Sequence, residues 1–147
     1  MKSITKITVR SFHIDHFGHV NHARFVELLE EARWRYLEEN QLLDPIHHVG
    51  AFHVVAKVMV QYKHPAYIGD ILCFETQIDQ RSTHSFQVDQ KVYLKKSGKM
   101  VIKARITNVF IDPKGQPRLI DQDILGIWSD LAKAKLERKV PSVDNPS

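Results

Sequence analysis

The stretch HIDHFGHVNHARF, His13 to Phe25, places a histidine at every third position and sets one carboxylate, Asp15, among His13, His16, His19 and His22. Imidazole and carboxylate at that density suit a metal site, acid–base catalysis, or a plain solvated loop. Zinc asks for about four N, S or O ligands converging on one point, with spacings such as HxxxH on a helix. Steps of three alternate between the faces of a strand and drift around a helix. Four such histidines do not converge, and the sole cysteine, Cys73, lies far away in the chain. No metal site is expected. At least two of the four histidines read as ordinary hydrogen-bonded or solvated loop residues.

Asp15 has a more specific context. Gly18 is a natural turn residue. Asn21 is a good N-cap, and a helix is expected from about His22 to Glu39. A helix N-terminus offers unpaired amides and a partial positive charge. Such amides can hold a carbonyl oxygen as it gains negative charge. A carboxylate just before them can act on a water or on the carbonyl carbon itself. That combination suits hydrolysis of an activated acyl group. An aspartate before a helix is also a common capping residue, so the residues alone leave both readings open.

The elements that must hold this loop follow from periodicity. A strand is expected from about Ile4 to Phe12. On the helix, Phe25, Leu28, Leu29, Ala32 and Tyr36 form one apolar face. Val20 and Phe25 are placed for a hydrophobic staple, and Glu31 and Arg35 for an ion pair one turn apart. The chain then reads as loop up to about Gly50. From Phe52 the period becomes two, with Phe52, Val54, Ala56, Val58, Val60 and Tyr62 on one face. Three more strands follow, marked by Leu72 to Ile78, Phe86 to Leu94 and Met100 to Phe110, with turns at Pro65–Gly69, Ser82–Thr83 and Gly98. A last amphipathic helix is expected from about Asp121 to Leu136.

A strand of 10–12 residues is roughly 35 Å long at ~3.3 Å per residue. An 18-residue helix is roughly 27 Å long at ~1.5 Å per residue. A twisted meander of such strands can curl around that one helix. Its outer face carries Val55, Met59, Tyr93, Val101 and Val109, a mixture that suggests partial burial against another subunit.

The composition is that of a globular domain. The 147 residues are 43% hydrophobic and 26% charged, with a net charge of +4, ordinary values for a soluble chain. The basic residues are scattered, whereas a nucleic-acid binder gathers them into a stripe with aromatics between. No nucleic-acid partner is expected. No run approaches the ~18 apolar residues that span a bilayer, so no membrane insertion is expected. The N-terminus lacks the apolar segment of a signal peptide, and one cysteine permits no internal disulfide; both point to the cytoplasm. A single domain over 1–138 is expected, with a disordered tail over 139–147.

VRSFHIDHFGHVNHARFVELLEEARW closely resembles the opening of hotdog-fold acyl-CoA thioesterases of the 4-hydroxybenzoyl-CoA thioesterase type. Their pattern is a strand ending in an aromatic, a D-x-x-G-H-V-N-x-A-R-[YF] core and EEAR on the central helix. VQYKHPAYIGDIL is similar to their second motif, Y-x-x-P-A-x-x-G-D. The similarity runs from about Thr5 to Leu131. Within the family the chain looks most like the bacterial long-chain type, thioesterase III.

The resemblance implies an α+β hotdog fold: a long central helix wrapped by an antiparallel sheet of five or more strands, with a C-terminal helix. It implies hydrolysis of medium- to long-chain acyl-CoA to free acid and CoA, without a cofactor. Asp15 matches the catalytic carboxylate, as general base or nucleophile, and the His22 backbone amide matches the oxyanion donor. Gly18 and Asn21 shape the loop, and His19 orients it. His13 stands where many relatives carry a second aspartate. Phe25, Leu28, Leu29, Phe52 and Val54 are candidates to line an acyl tunnel, and Arg81 to meet the nucleotide. Hotdog subunits pair through continuous sheets, with active sites at the interface, so a homo-oligomer is expected, dimer or tetramer. Two other functions stay open: an acyl-thioester dehydratase or hydratase using Asp15 with His13 or His16, and a non-catalytic acyl-CoA-binding module.

Overall fold

In a computed structural model, which describes residues 2–137, the chain forms one antiparallel sheet around one long helix. Strand β1 (Ser3–Thr8) leads through a 3-10 turn (Ser11–His13) to helix α1 (His22–Glu39). A short helix, α2 (Leu43–His48), precedes the four long strands β2 (Phe52–Tyr62), β3 (Ile71–Arg81), β4 (Ser85–Leu94) and β5 (Met100–Ile111). Helices α3 (Gln122–Ile127) and α4 (Ser129–Ala132) and a two-residue strand, β6 (Lys135–Leu136), close the described chain. The sheet order is β1-β3-β4-β5-β2, with β6 beside β3. This is the hotdog arrangement. The expected disordered tail, 139–147, lies outside the described residues.

Helix α1 starts where expected because Asn21 is extended and its Oδ1 accepts the Ala23 amide at 2.9 Å. Its apolar stripe builds two core clusters. Phe25, Leu28, Leu29 and Ala32 pack with Leu72, Phe74, Val92 and Ile102. Tyr36 and Leu37 pack with Phe86, Ile106, Phe110 and Trp128. Between them lies a polar layer. Gln90, fully buried, donates to the Leu29 carbonyl at 3.0 Å and to Thr76 Oγ1 at 3.1 Å, and accepts from Arg33 at 2.9 Å. All its hydrogen-bonding atoms are used, as burial demands. Val20 and Phe25 share the first cluster, and Arg35 meets Glu31 at 3.2 Å.

Four expectations change. β1 ends at Thr8 rather than Phe12: backbone bonding runs on only through Val9, whose amide donates to the Asp70 carbonyl at 2.8 Å and whose carbonyl accepts the Gly69 amide at 2.9 Å, before the chain turns at Ser11–His13. The segment after α1 is not all loop: Leu42 and Ile46 are buried and α2 forms around them, with Pro45 tolerated in its first turn. The expected C-terminal helix is broken at Trp128 into α3 and α4. There the indole is buried against Phe86, with ring centroids 5.0 Å apart, and donates to Tyr36 Oη at 3.0 Å, while Asp130 accepts from the same hydroxyl at 2.7 Å. Satisfying both groups outweighs continuing one helix.

The fourth change bears on the site. β2 pairs with β5 through a register shift between Val55 and Lys57, leaving Ala56 as an extra residue. A bulge exchanges the two faces of a strand. After it, Val58, Val60 and Tyr62 lie opposite Ile106, Ala104 and Ile102, on the core side. Before it, His53 and Val55 take the core side, opposite Phe110 and Asn108, and Val54 turns outward with Val109. Phe52 and Val54 therefore do not share a face with the Val58–Tyr62 row. β2 is also an edge strand, hydrogen-bonded to β5 alone.

Candidate active site

The Asp15 loop is a tight hairpin turn. Ile14 bridges Val20. The Asp15 amide donates to the His19 carbonyl at 3.0 Å, and the Gly18 amide to the Asp15 carbonyl at 3.0 Å. Gly18 has φ +84°, a conformation glycine adopts without a Cβ penalty. The turn is fixed to the body by backbone bonds: Val20 to Ala66 at 2.8 Å, and Asn21 to the His13 carbonyl at 3.0 Å. Asp15 is half-buried, and its Oδ1 accepts the Phe17 amide at 2.9 Å. That bond orients the carboxylate and, among the described residues, leaves Oδ2 without a partner.

At the start of α1, the Asn21 side chain takes the Ala23 amide, and the His22 amide donates to nothing among the described residues. Tyr62 Oη donates to the His22 carbonyl at 2.9 Å and ties the end of β2 to the first helical turn. Burial pushes the Tyr62 hydroxyl above its ordinary pKa, which keeps it a donor. Asp15, His19, His22 and Phe25 line one cavity of about 340 Å³, together with Val20, Tyr62, Lys63, His64 and Pro65. Asp15, the first residue of α1 and an apolar wall thus line one space.

Gly18 and Asn21 adjoin the lining residues in the chain but do not line the cavity themselves. His13 points elsewhere. It is buried, its Nδ1 accepts the Arg10 amide at 2.9 Å, and its ring stacks edge-on with Phe12 at 4.2 Å. Burial, with Arg24 and Arg10 nearby, lowers its pKa, so it is a neutral structural ring. His16 is exposed and lies against Phe17. Among the described residues, no three His, Cys, Asp or Glu side chains are grouped to hold a metal ion.

The other expected site residues are dispersed. Leu28 and Leu29 are buried in the core. Phe52 lines a second cavity at the far end of α1. Val54 faces outward and is 45% exposed. Arg81 ends β3, where its carbonyl accepts the Glu137 amide at 2.8 Å. Tyr62, Lys63 and His64 were visible in the second motif, but nothing in their spacing said that the β2 end reaches the Asp15 loop.

A model of the Thioesterase-like superfamily matches residues 9–140. The chain belongs to that superfamily. The long-chain acyl-CoA thioesterase FadM of Escherichia coli K12 is 37% identical over 115 residues, covering 78% of this chain and 87% of FadM. The crystal structure of YbaW, a probable thioesterase from Escherichia coli, superposes with a TM-score of 0.81 at 31% identity, covering 88% of this chain and 98% of that one. Slr0204, a 1,4-dihydroxy-2-naphthoyl-CoA thioesterase from Synechocystis, shares the fold with a TM-score of 0.78 at 24% identity, over 90% of this chain and 98% of its own. No helix among the described residues is long and apolar enough to cross a membrane.

Proposed function

We propose that this protein hydrolyses the thioester of medium- to long-chain acyl-CoA, releasing the free acid and CoA. One observation carries the reading: Asp15 and His22, the first residue of α1, line the same cavity, and the His22 amide has no partner among the described residues. With the thioester carbonyl against that amide, the amide stabilises the developing oxyanion. Asp15 takes a proton from a water whose oxygen adds to the carbonyl carbon. The tetrahedral intermediate then collapses, the C–S bond breaks, and the proton on Asp15 passes to the departing thiolate. In the nucleophilic variant, Asp15 adds to the carbonyl carbon itself, the C–S bond breaks as the thiolate leaves, and water then hydrolyses the Asp15–acyl anhydride to free acid and carboxylate. Oxygen-18 from water found in Asp15 after turnover would establish the anhydride route, because the general-base route never places water oxygen on the carboxylate.

The relationship to FadM supports the long-chain acyl group. A dehydratase pairing Asp15 with His13 is less well supported, because His13 is buried and its Nδ1 is taken by Arg10. The free edge of β2 suits a second copy of this chain. Val54, Val55, Val58, Met59 and Tyr62 are each more than two-fifths exposed along it, and edge strands that are not covered invite pairing. We take the working form to be a homo-oligomer, acting in the cytoplasm. Incubation with acyl-CoA thioesters of graded length, read by thiol release, tests the function. Release of CoA with matching free acid is expected; tight binding without release would point to a non-catalytic module.

A further inference from the structure

The reaction as described makes no use of the cavity at the opposite end of α1. This cavity is about 270 Å³, walled by Leu37, Leu43 and Phe52, with Arg33, His53 and Asn108 as polar groups and the exposed Glu30 beside them. A smaller void of about 30 Å³ shares Arg33, Leu37, His53 and Asn108 with it. Asn108 is only 3% exposed, and its Nδ2 has no hydrogen-bond partner among the described residues. Buried polar atoms in native proteins are almost always paired, so an orphan donor lining a cavity marks a place for an acceptor. Arg33 makes one hydrogen bond, to Gln90, and no ion pair among the described residues. Its guanidinium carries five N–H donors. Glu30 attracts it from one turn away but takes its own bond from Trp34 at 3.4 Å. The cavity is apolar in its walls and rich in donors.

The topology says what could reach it. Tyr62, at the end of β2, meets His22 at the start of α1, while Phe52 and His53, at the beginning of β2, face the second half of α1. The helix and the strand therefore run antiparallel. A two-fold axis perpendicular to the sheet, relating two copies of β2, makes those strands antiparallel as well. The Phe52 end of one copy then lies beside the Tyr62 end of the other. In that pairing the Asp15 cavity of one copy and the donor-lined cavity of its neighbour would lie toward the same end of the paired strands, on the helix side of the sheet.

We propose that this cavity receives the far part of an acyl group whose thioester sits at the Asp15 of a second copy. It selects acyl groups that carry an acceptor oxygen there, as hydroxyl, carbonyl or carboxylate. The proposal rests on the thioesterase reading and on pairing through β2. A site built to hydrogen-bond a substrate oxygen rejects the analogue lacking it, because the buried donor is then left unpaired.

The test compares kcat/KM for three CoA thioesters of equal carbon number, ending in methyl, hydroxyl or carboxylate. A preference of roughly 10-fold or more for an oxygenated chain is expected. The hydroxyl form leads if Asn108 dominates recognition, and the carboxylate form if Arg33 does. Asn108→Leu, similar in volume and without the donor, should bring the hydroxyl-to-methyl ratio close to one. Should that variant fail to fold, competition on the wild type gives the same answer. An ω-hydroxy fatty acid should inhibit hydrolysis of the methyl-ended thioester more tightly than the plain fatty acid of equal length. Equal inhibition, or hydrolysis without preference for the oxygenated chains, overturns this inference and leaves the thioesterase reading standing. No thiol release from any of the three thioesters overturns that reading itself.

Discussion

The turn that carries Asp15 rests on one glycine. Gly18 holds the turn at φ +84° with open space around it, so Gly18→Ala meets no steric wall and pays only in backbone conformation. A cost of about 1–2 kcal/mol is expected for a left-handed non-glycine residue, read as a melting temperature lower by several degrees. Activity should fall further than stability, since the turn aims the carboxylate. His53 offers a pH signature. Burial, helped by His47 and Arg33 and opposed by a hydrogen bond to Asn108, pushes its pKa down to about 4, from an ordinary 6.5. Between those values the unfolded chain binds the proton and the folded chain does not, so stability is present above 6.5 and is lost as pH falls through about 4. From this group alone, unfolding free energy should be about 2 kcal/mol lower at pH 5 than at pH 7. Urea melts of wild type and His53→Leu check it: the variant should lose less on acidification. An equal loss would show that His53 is not buried as described.

At the scale of elements, the start of α1 is the piece on which the chemistry turns. Asn21→Ala removes the bond to the Ala23 amide and should cost about 1 kcal/mol, while Asn21→Ser should restore most of it. If both variants melt like wild type, the cap is not holding the first turn. This helix was legible in advance because Asn21, Val20 and the Phe25–Tyr36 stripe all agreed with one another. β3, β4 and β5 were legible from their apolar alternation, but their register shifts at Ile78/Gln80 and Val92/Tyr93 were not, and Val101, expected on the outer face, is fully buried beside Ile102. The bulge at Ala56 was not legible either. Apolar residues stand on both sides of it, so the sequence reads as one row where the register shows two. The break at Trp128 is not readable from the sequence because its partner lies 92 residues away, in the Tyr36 hydroxyl. Likewise the Asp15 loop was readable as chemistry, but its neighbours Tyr62, Lys63 and His64 come together only through the sheet's curl around α1.

For the whole molecule, the proposed homo-oligomer turns on the free edge of β2. A second copy adding its own β2 would extend the sheet and cover the exposed valines and Met59. Val54→Lys together with Met59→Lys sets like charges along that edge, which opposes pairing. The double variant is expected to elute as a monomer in size-exclusion chromatography with light scattering, with thioester hydrolysis falling in step. A variant that stays oligomeric would move the interface elsewhere on the molecule. Loss of the pairing should also remove any preference for oxygenated acyl chains, because that preference is built across two copies.

The most direct test of the account is the rate of CoA release from a long-chain acyl-CoA by Asp15→Asn, beside its circular dichroism and melting curve. Asparagine keeps the shape and the acceptor for the Phe17 amide but cannot take a proton. A folded protein with turnover reduced by roughly 10²–10⁴ is predicted. A folded variant within a few-fold of the wild-type rate would contradict the role given to this carboxylate.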